Sequence, residues 1–503
     1  MAVTDVPERQ VRTYGNWRKP ASAGLLGLGS FGTVILMGGM FIVVLVLQSG
    51  GLLAACITAL CLLLVLILMM VRDVHGINAL TRISIRGGWW MAKATGANVY
   101  RSGPVGRVPT GRFQLPGLLA RMTPSEHYDS YNRPFALLHA PSTATYSIVI
   151  GTEPSGAPLV DPEVIDGWVA DWGHWLANLA DEASVEAASV TIETSPDTGT
   201  RLRREVEMNL DTSAPAFAQA AMQETISNYP VGSSTVRAFI AITFNAAARP
   251  GGKKRDSDEM ARDIAARLPG LTYSLEATGA GAAHPLTAQQ LCELVRVAYD
   301  PAAAELIDDT YAAGAVPELE WADVGPSAAQ ANWASYRHDS GHSVTWSMTG
   351  APRGHVQSSV LTRLLAPHRD VLRKRVTLLY RPINAGAAAG LVEKDLNDAQ
   401  FRATSHKKLK ARDMYAVRSA AASAQEEASG AGLVNFGMLV TATVRTPADE
   451  ADAVAAIENL GATARLRLRP VYGSQDSAFA AALPLGIVLS KHINIPAVLR
   501  NNI

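Results

Sequence analysis

Two uncharged apolar runs near the N-terminus restrict this chain more than anything else in it. From Gly24 to Leu47 and from Leu52 to Val71 there is no Asp, Glu, Lys or Arg. Each run meets the roughly 20 residues that a helix needs to cross a bilayer. The second is dominated by Leu, Ile and Val, each favouring insertion by about 0.3–0.6 kcal/mol near a helix centre. Two such runs in tandem are hard to bury in a soluble core, so the sequence predicts a transmembrane hairpin over 24–71, with spans 24–47 and 52–71. The turn, Gln48-Ser49-Gly50-Gly51, is too short for a domain and carries no positive charge. Arg9, Arg12, Arg18 and Lys19 precede the spans, and Arg72, Arg82, Arg86 and Lys93 follow them. That asymmetry puts both ends in the cytoplasm. The expected location is the plasma (inner) membrane, multi-pass, with the bulk cytoplasmic. The length of the first run and the second span directly behind it argue against a cleaved signal peptide. Gly27, Gly29 and Gly32 reproduce the spacing of a dinucleotide-binding loop, but they enter a span instead of following a strand. Close helix approach explains them better.

Beyond the hairpin the sequence divides into a tail (1–23), a juxtamembrane segment and linker (72–140) and two α/β domains (141–330 and 331–503). Directly after Arg72, Ile77, Leu80, Ile83, Trp89, Trp90 and Met91 interleave with Arg82, Arg86 and Lys93. This is a basic amphipathic pattern, suited either to the inner leaflet or to packing on the soluble part. Arg82, Arg86, Trp89, Trp90 and Lys93 are therefore candidate lipid or partner contacts. Gly, Pro and Arg crowd residues 99–141, which reads as an irregular connector.

Strands are expected at 145–152, 185–194, 235–244, 343–348, 375–382, 434–445 and 465–469, and helices near 161–179, 214–227, 257–268, 287–309, 358–365 and 391–429. Asp161-Pro162-Glu163 and Thr446-Pro447-Ala448-Asp449 supply caps, first-turn prolines and acids. A polar stretch at 315–342 marks the internal boundary. The fold class is α/β (α+β), with ferredoxin-like βαβ layers as the expected arrangement.

Forty-five basic residues balance 45 acidic ones, so no global charge favours nucleic acid. Cys56 and Cys61 fall in an apolar run, and Cys292 stands alone as a buried thiol without zinc or disulfide spacing. The one Gly-Lys, Gly252-Lys253, lacks the first glycine and the hydroxyl residue of a phosphate-binding loop. His338 and His342 are split by Ser340-Gly341, which disfavours a helical metal pair. Gly341-His342-Ser343-Val344-Thr345 has threonine where a nucleophile elbow needs its last glycine. No catalytic, cofactor or metal residue is expected. The densest basic run, His406 to Arg412, makes Lys407, Lys408, Lys410 and Arg412 the second set of candidate contacts, for an acidic partner or anionic lipid.

Tyr14-Gly15-Asn16-Trp17-Arg18-Lys19-Pro20, the paired spans, Tyr100-Arg101-Ser102-Gly103-Pro104 and Arg469-Pro470-Val471-Tyr472-Gly473-Ser474-Gln475-Asp476-Ser477-Ala478-Phe479 together resemble an actinobacterial membrane-protein family that accompanies conjugative and secretion gene clusters. That family looks related to EccE, a two-span component of type VII secretion membranes. Gln475 to Pro484 is similar to the end of the N-terminal domain of TrbE/CagE-type secretion ATPases, whose motor domain this sequence lacks. The resemblance implies a non-enzymatic scaffold in an oligomeric assembly with other membrane subunits, docking a motor ATPase. The alternatives are a type IV-like conjugative component, a membrane-tethered enzyme with scattered catalytic groups, and a lipid-binding regulator.

Overall fold

The computed structural model describes residues 12–17, 29–104, 106, 111–154, 156, 160–182, 184–197, 199–228, 234–247, 252–352, 354–405 and 411–492. The apolar runs form one helical stretch, α1 (Gly29–Met70), interrupted at Gly51 (φ 77°, ψ 175°). Only glycine takes that conformation without strain. A Cβ added at Gly39 would overlap the Leu62 side chain. On a straight helix those residues would lie about 35 Å apart, so the chain folds back on itself at the break. Among the described residues, this is the one helical stretch long and apolar enough to cross a membrane.

The remaining elements follow as α2 (Ala79–Ala94), β1 (Val99–Arg101), β2 (Thr123–Tyr128), β3 (Pro134–Ala140), β4 (Thr145–Glu153), α3 (Pro162–Asp181), β5 (Val185–Pro196), α4 (Thr200–Asn209), α5 (Ala216–Asn228), β6 (Ser234–Asn245), α6 (Ser257–Leu275), β7 (Ala282–Pro285), α7 (Ala288–Tyr299) and α8 (Ala303–Ala312). Then come β8 (Ala328–Ala331), β9 (Tyr336–His338), β10 (Gly341–Gly350), α9 (Thr362–Leu365), β11 (Arg373–Pro382), α10 (Ala385–Ser405), α11 (Ala411–Ala428), β12 (Val434–Val444), α12 (Glu450–Thr463), β13 (Arg467–Pro470) and α13 (Gln475–Ala481). All the strands join one 13-stranded sheet, and every paired neighbour is antiparallel. The protein is thus a mixed α/β body on a large antiparallel sheet, attached to an apolar helix.

Several expectations need correction. The connector at 99–141 contains β1, β2 and β3, and the polar stretch at 315–342 contains β8 and β9. The 287–309 helix is two helices, α7 and α8, separated at Pro301, which lacks the amide that would continue the ladder. The 391–429 segment is likewise two helices, α10 and α11, and residues 406–410 between them lie outside the described set. Strand β13 starts at Arg467 because Arg465 takes φ 55°.

The sheet holds an internal repeat. In the first unit β4-α3-β5-(α4-α5)-β6-α6-β7 has spatial strand order β7-β4-β6-β5; in the second, β10-α9-β11-(α10-α11)-β12-α12-β13 has order β13-β10-β12-β11. Each is preceded by a two-stranded hairpin, β2-β3 or β8-β9, and followed by a helix, α7 or α13. From Ala187 and Arg375 onward the β5–β6 and β11–β12 ladders share one register. Ala187 faces Thr243, Val190 faces Ile240 and Thr191 faces Phe239 in the first unit; Arg375 faces Thr441, Leu378 faces Met438 and Leu379 faces Gly437 in the second. The units meet where β5 pairs with β11, and the local two-fold passes through the Val190–Leu378 pair. The sheet runs without interruption across position 330.

Directly paired residues share a face, so the two faces can be read from this seam. Ala188, Val190, Ile192, Val376, Leu378 and Tyr380 face the crossover helices α3, α6, α9 and α12, whose cores hold Trp175, Leu179, Ile264, Leu268, Trp346, Leu364 and Ile457. Ser189, Thr191, Glu193, Arg375, Thr377 and Leu379 face the other way, beneath α7, α13 and the strap 482–490. That second face is polar along its strands. Ser147 bonds Thr243 (3.0 Å), Thr191 bonds Thr377 (3.1 Å) and Thr345 bonds Thr441 (3.0 Å), while Thr243 and Thr377 donate to the carbonyls of Gly486 and Ala482. These bonds satisfy the hydroxyls in place and fix the strap.

Candidate membrane-interface and docking site

Residues 71–79 turn the chain sharply from α1 into α2. The Ala79 amide donates to the Val71 carbonyl (2.9 Å), and Asp73 accepts from the amides of His75 and Ile77 and from Arg82 (3.0 Å). The Ile77 amide is the leading cause holding the Asp73 carboxyl below its usual range. This turn sits on the second unit: His75 Nδ1 lies 3.2 Å from Thr349 Oγ1, and Arg467 donates to the Val74 carbonyl (3.2 Å).

Helix α2 then presents three sides. Trp89 meets Trp333 edge-on (centroids 5.4 Å apart), Trp333 stacks on Tyr472 (5.6 Å), and the Gly473 amide donates to the Trp333 carbonyl (2.8 Å). Gly473 has φ 76°, and a Cβ there would crowd Trp333, Ile85 and Trp89. Three cations lie over these rings: Arg86 on Trp333 (5.5 Å), Lys93 on Trp89 (5.3 Å) and Arg469 on Tyr472 (5.1 Å). Such contacts contribute about 0.5–1 kcal/mol each where exposed. With Arg82 these cations form a basic flank. On the opposite side, Ile83, Trp90 and Met91 are 57%, 68% and 71% exposed. The two neighbouring tryptophans therefore do different work: Trp89 fastens the helix to the sheet body and Trp90 points away from it.

The residues before α1 reach the same body. Tyr14 forms an antiparallel bridge with Val356, and its hydroxyl donates to Asp166 at the start of α3 (2.5 Å). Burial, with Asp166 beside it, pushes the phenol up to about 12. Asn16 donates to Ser423 on α11 (3.0 Å).

The structure brings Arg86, Trp89 and Lys93 together, leaves Trp90 exposed and ties Arg82 to Asp73. Arg412 is exposed in the first turn of α11, far along the sequence from that cluster. Lys407, Lys408 and Lys410 lie outside the described residues. Sequence reasoning missed the receiving residues Trp333, Tyr472 and Arg469. The available signal was an isolated tryptophan in a polar stretch.

No elbow forms around Ser343, which lies mid-strand in β10 and is fully buried. His338 Nδ1 donates to the Tyr299 carbonyl (2.6 Å), Nε2 accepts from Ser343 (2.7 Å), and Ser343 bonds Thr443 (2.7 Å). Burial lowers His338 to about 4, so the ring is neutral and structural. Burial likewise pushes the Cys292 thiol up to about 12, an inert setting. Among the described residues no group of three or more His, Cys, Asp or Glu is placed to hold a metal.

These features define a mixed α/β body clamped to an apolar helix through an amphipathic segment. Residues 21–81 match the model of a domain of unknown function, DUF8461. No curated protein matches the chain.

Proposed function

We propose that this protein is a membrane-anchored, non-enzymatic platform subunit of an actinobacterial secretion or conjugation complex, EccE-like, on which a motor ATPase docks. In this reading α1 is two membrane spans hinged at Gly51, both termini are cytoplasmic, and the paired units are ferredoxin-like layers. The observation that carries it is the anchoring of both flanks of α1 to one body: Tyr14 and Asn16 before it, Trp89 and the 71–79 turn after it. An apolar stretch whose two ends return to one body crosses the membrane an even number of times. The fold-back that sets Gly39 against Leu62 supports two crossings. The exposed Ile83, Trp90 and Met91 then enter the headgroup region, where tryptophan and a basic flank are favoured.

A body clamped this firmly to the bilayer is suited to transmitting position and force, which is what an ATPase platform requires. The test is affinity purification of the full chain from native membranes in mild detergent. Co-purification of a motor ATPase with further membrane subunits is expected. Recovery of the chain alone, at native abundance and after cross-linking, would overturn the reading.

A further inference from the structure

The repeat gives every position at the β5–β11 seam a counterpart, and one pair of counterparts is unequal. At one end of the seam Arg375 and Glu193 pair beneath α13, beside Phe239 and with the Arg375 guanidinium 5.7 Å from the Phe479 ring. At the other end the matching positions hold Ala187 for Arg375, Arg381 for Glu193, Gly437 for Phe239 and Asn435 for Arg237. The side chains that fill the first end are missing from the second. What remains is a cavity of about 230 Å³ between the sheet and the strap 486–490, lined also by Ser189, Thr243 and Leu379.

The strap cannot sink to close it. The Gly486 carbonyl is held by Thr243, and Gly486, at φ 70°, already abuts Ser147 and Thr243. Gly437 has no atom within 4 Å of where a Cβ would stand.

The charge is unequal as well. At the filled end a buried carboxylate meets a guanidinium. At the open end the Arg381 guanidinium stands at the rim with no hydrogen bond among the described residues. Its nearest acid, Glu186, is 3.9 Å away and is shared with Lys491 at 3.1 Å. A few polar groups at the rim of an apolar hollow are the usual make-up of a small-molecule site.

We infer that this cavity binds a small apolar carboxylate, a short acyl chain in the hollow with its carboxylate on Arg381 and Asn435, supplying the apolar filling and the negative charge that Phe239 and Glu193 supply at the opposite end. The test uses the full chain in lipid nanodiscs, with 6,6,6-trifluorohexanoate as a ¹⁹F NMR probe and empty nanodiscs as the blank. Saturable binding is expected, at least tenfold weaker for the matching alcohol. Gly437→Phe, which copies the other unit, should keep the thermal midpoint and weaken binding at least tenfold; Ala187→Leu does the same if that variant misfolds. Arg381→Gln should equalise acid and alcohol. No saturable binding to the wild type, equal affinity for acid and alcohol, or unchanged binding in both cavity-filled variants would overturn the proposal.

Discussion

Replacing Glu193 by glutamine should destabilise the body more than any surface change. Among the described residues Glu193 is the one carboxylate paired with Arg373 and Arg375. Arg373 Nη1 lies 2.5 Å from one of its oxygens, and Arg375 reaches the other at 2.6 and 3.0 Å. All three side chains are at most 7% exposed. Removing one partner of a buried pair leaves uncompensated charge and costs about 3–5 kcal/mol. Here two guanidiniums are stranded, and Arg373 Nε already has no hydrogen-bond partner among the described residues.

The same geometry fixes a pH dependence. Burial raises the Glu193 carboxyl, but Arg373 and Arg375 outweigh it and hold the group down at about 2, against an ordinary 4.5. A depressed carboxyl contributes stability that is complete above pH 4.5 and lost as pH falls towards 2, about 3 kcal/mol over that window. Burial lowers Arg373 too, but it remains charged throughout. Urea unfolding of the detergent-solubilised protein, followed by tryptophan fluorescence from pH 7 to 2.5, measures both effects. Glu193→Gln should lower the midpoint sharply at pH 7 and lack this acid-dependent loss. A wild-type midpoint at pH 7, or an undiminished acid loss in the variant, would refute the reasoning.

Three further outcomes follow from the same structure. Trp89→Ala removes the ring that meets Trp333, an aromatic pair contributing about 0.5–1.5 kcal/mol beyond its buried area, and should expose 72–98 to limited proteolysis, whereas Trp90→Ala should leave protection unchanged. Brominated lipids in nanodiscs should quench Trp90 and spare Trp333, as read by difference against single Trp→Phe variants. His338, lowered to about 4 by burial, stays neutral while folded, so its contribution is complete above pH 6.5 and falls away by about 3 kcal/mol towards pH 4; His338→Gln should flatten that part of the stability curve.

The sequence displayed whatever depends on local pattern. The uncharged runs, the amphipathic Ile83–Lys93 segment and the alternation in β4, β5, β6, β11 and β12 were all readable. Strands β2 and β3 escaped because Pro124 and Pro134 read as breakers, although both sit in an edge pairing, where proline is tolerated. The first two residues of β11 escaped because Arg373-Lys374 carries two charges in succession; Glu193, which meets Arg373 and Arg375, comes from a different strand. The repeat was invisible because few matched residues agree in type: Thr243 and Thr441 do, but Phe239 matches Gly437 and Ala187 matches Arg375. Likewise α2 was legible as amphipathic, whereas its receptor, Trp333 and Tyr472, is assembled only by folding.

The central claim, an even number of crossings with the body cytoplasmic, is tested most directly by cysteine accessibility in intact cells. Cys56, Cys61 and Cys292 are replaced first, and single cysteines are then placed at Ser49, beside the Gly51 break, and at the exposed Ser429. A membrane-impermeant maleimide should label Ser49→Cys from outside and Ser429→Cys only after lysis. Labelling of Ser429→Cys in intact cells, or protection of Ser49→Cys until lysis, would contradict the account.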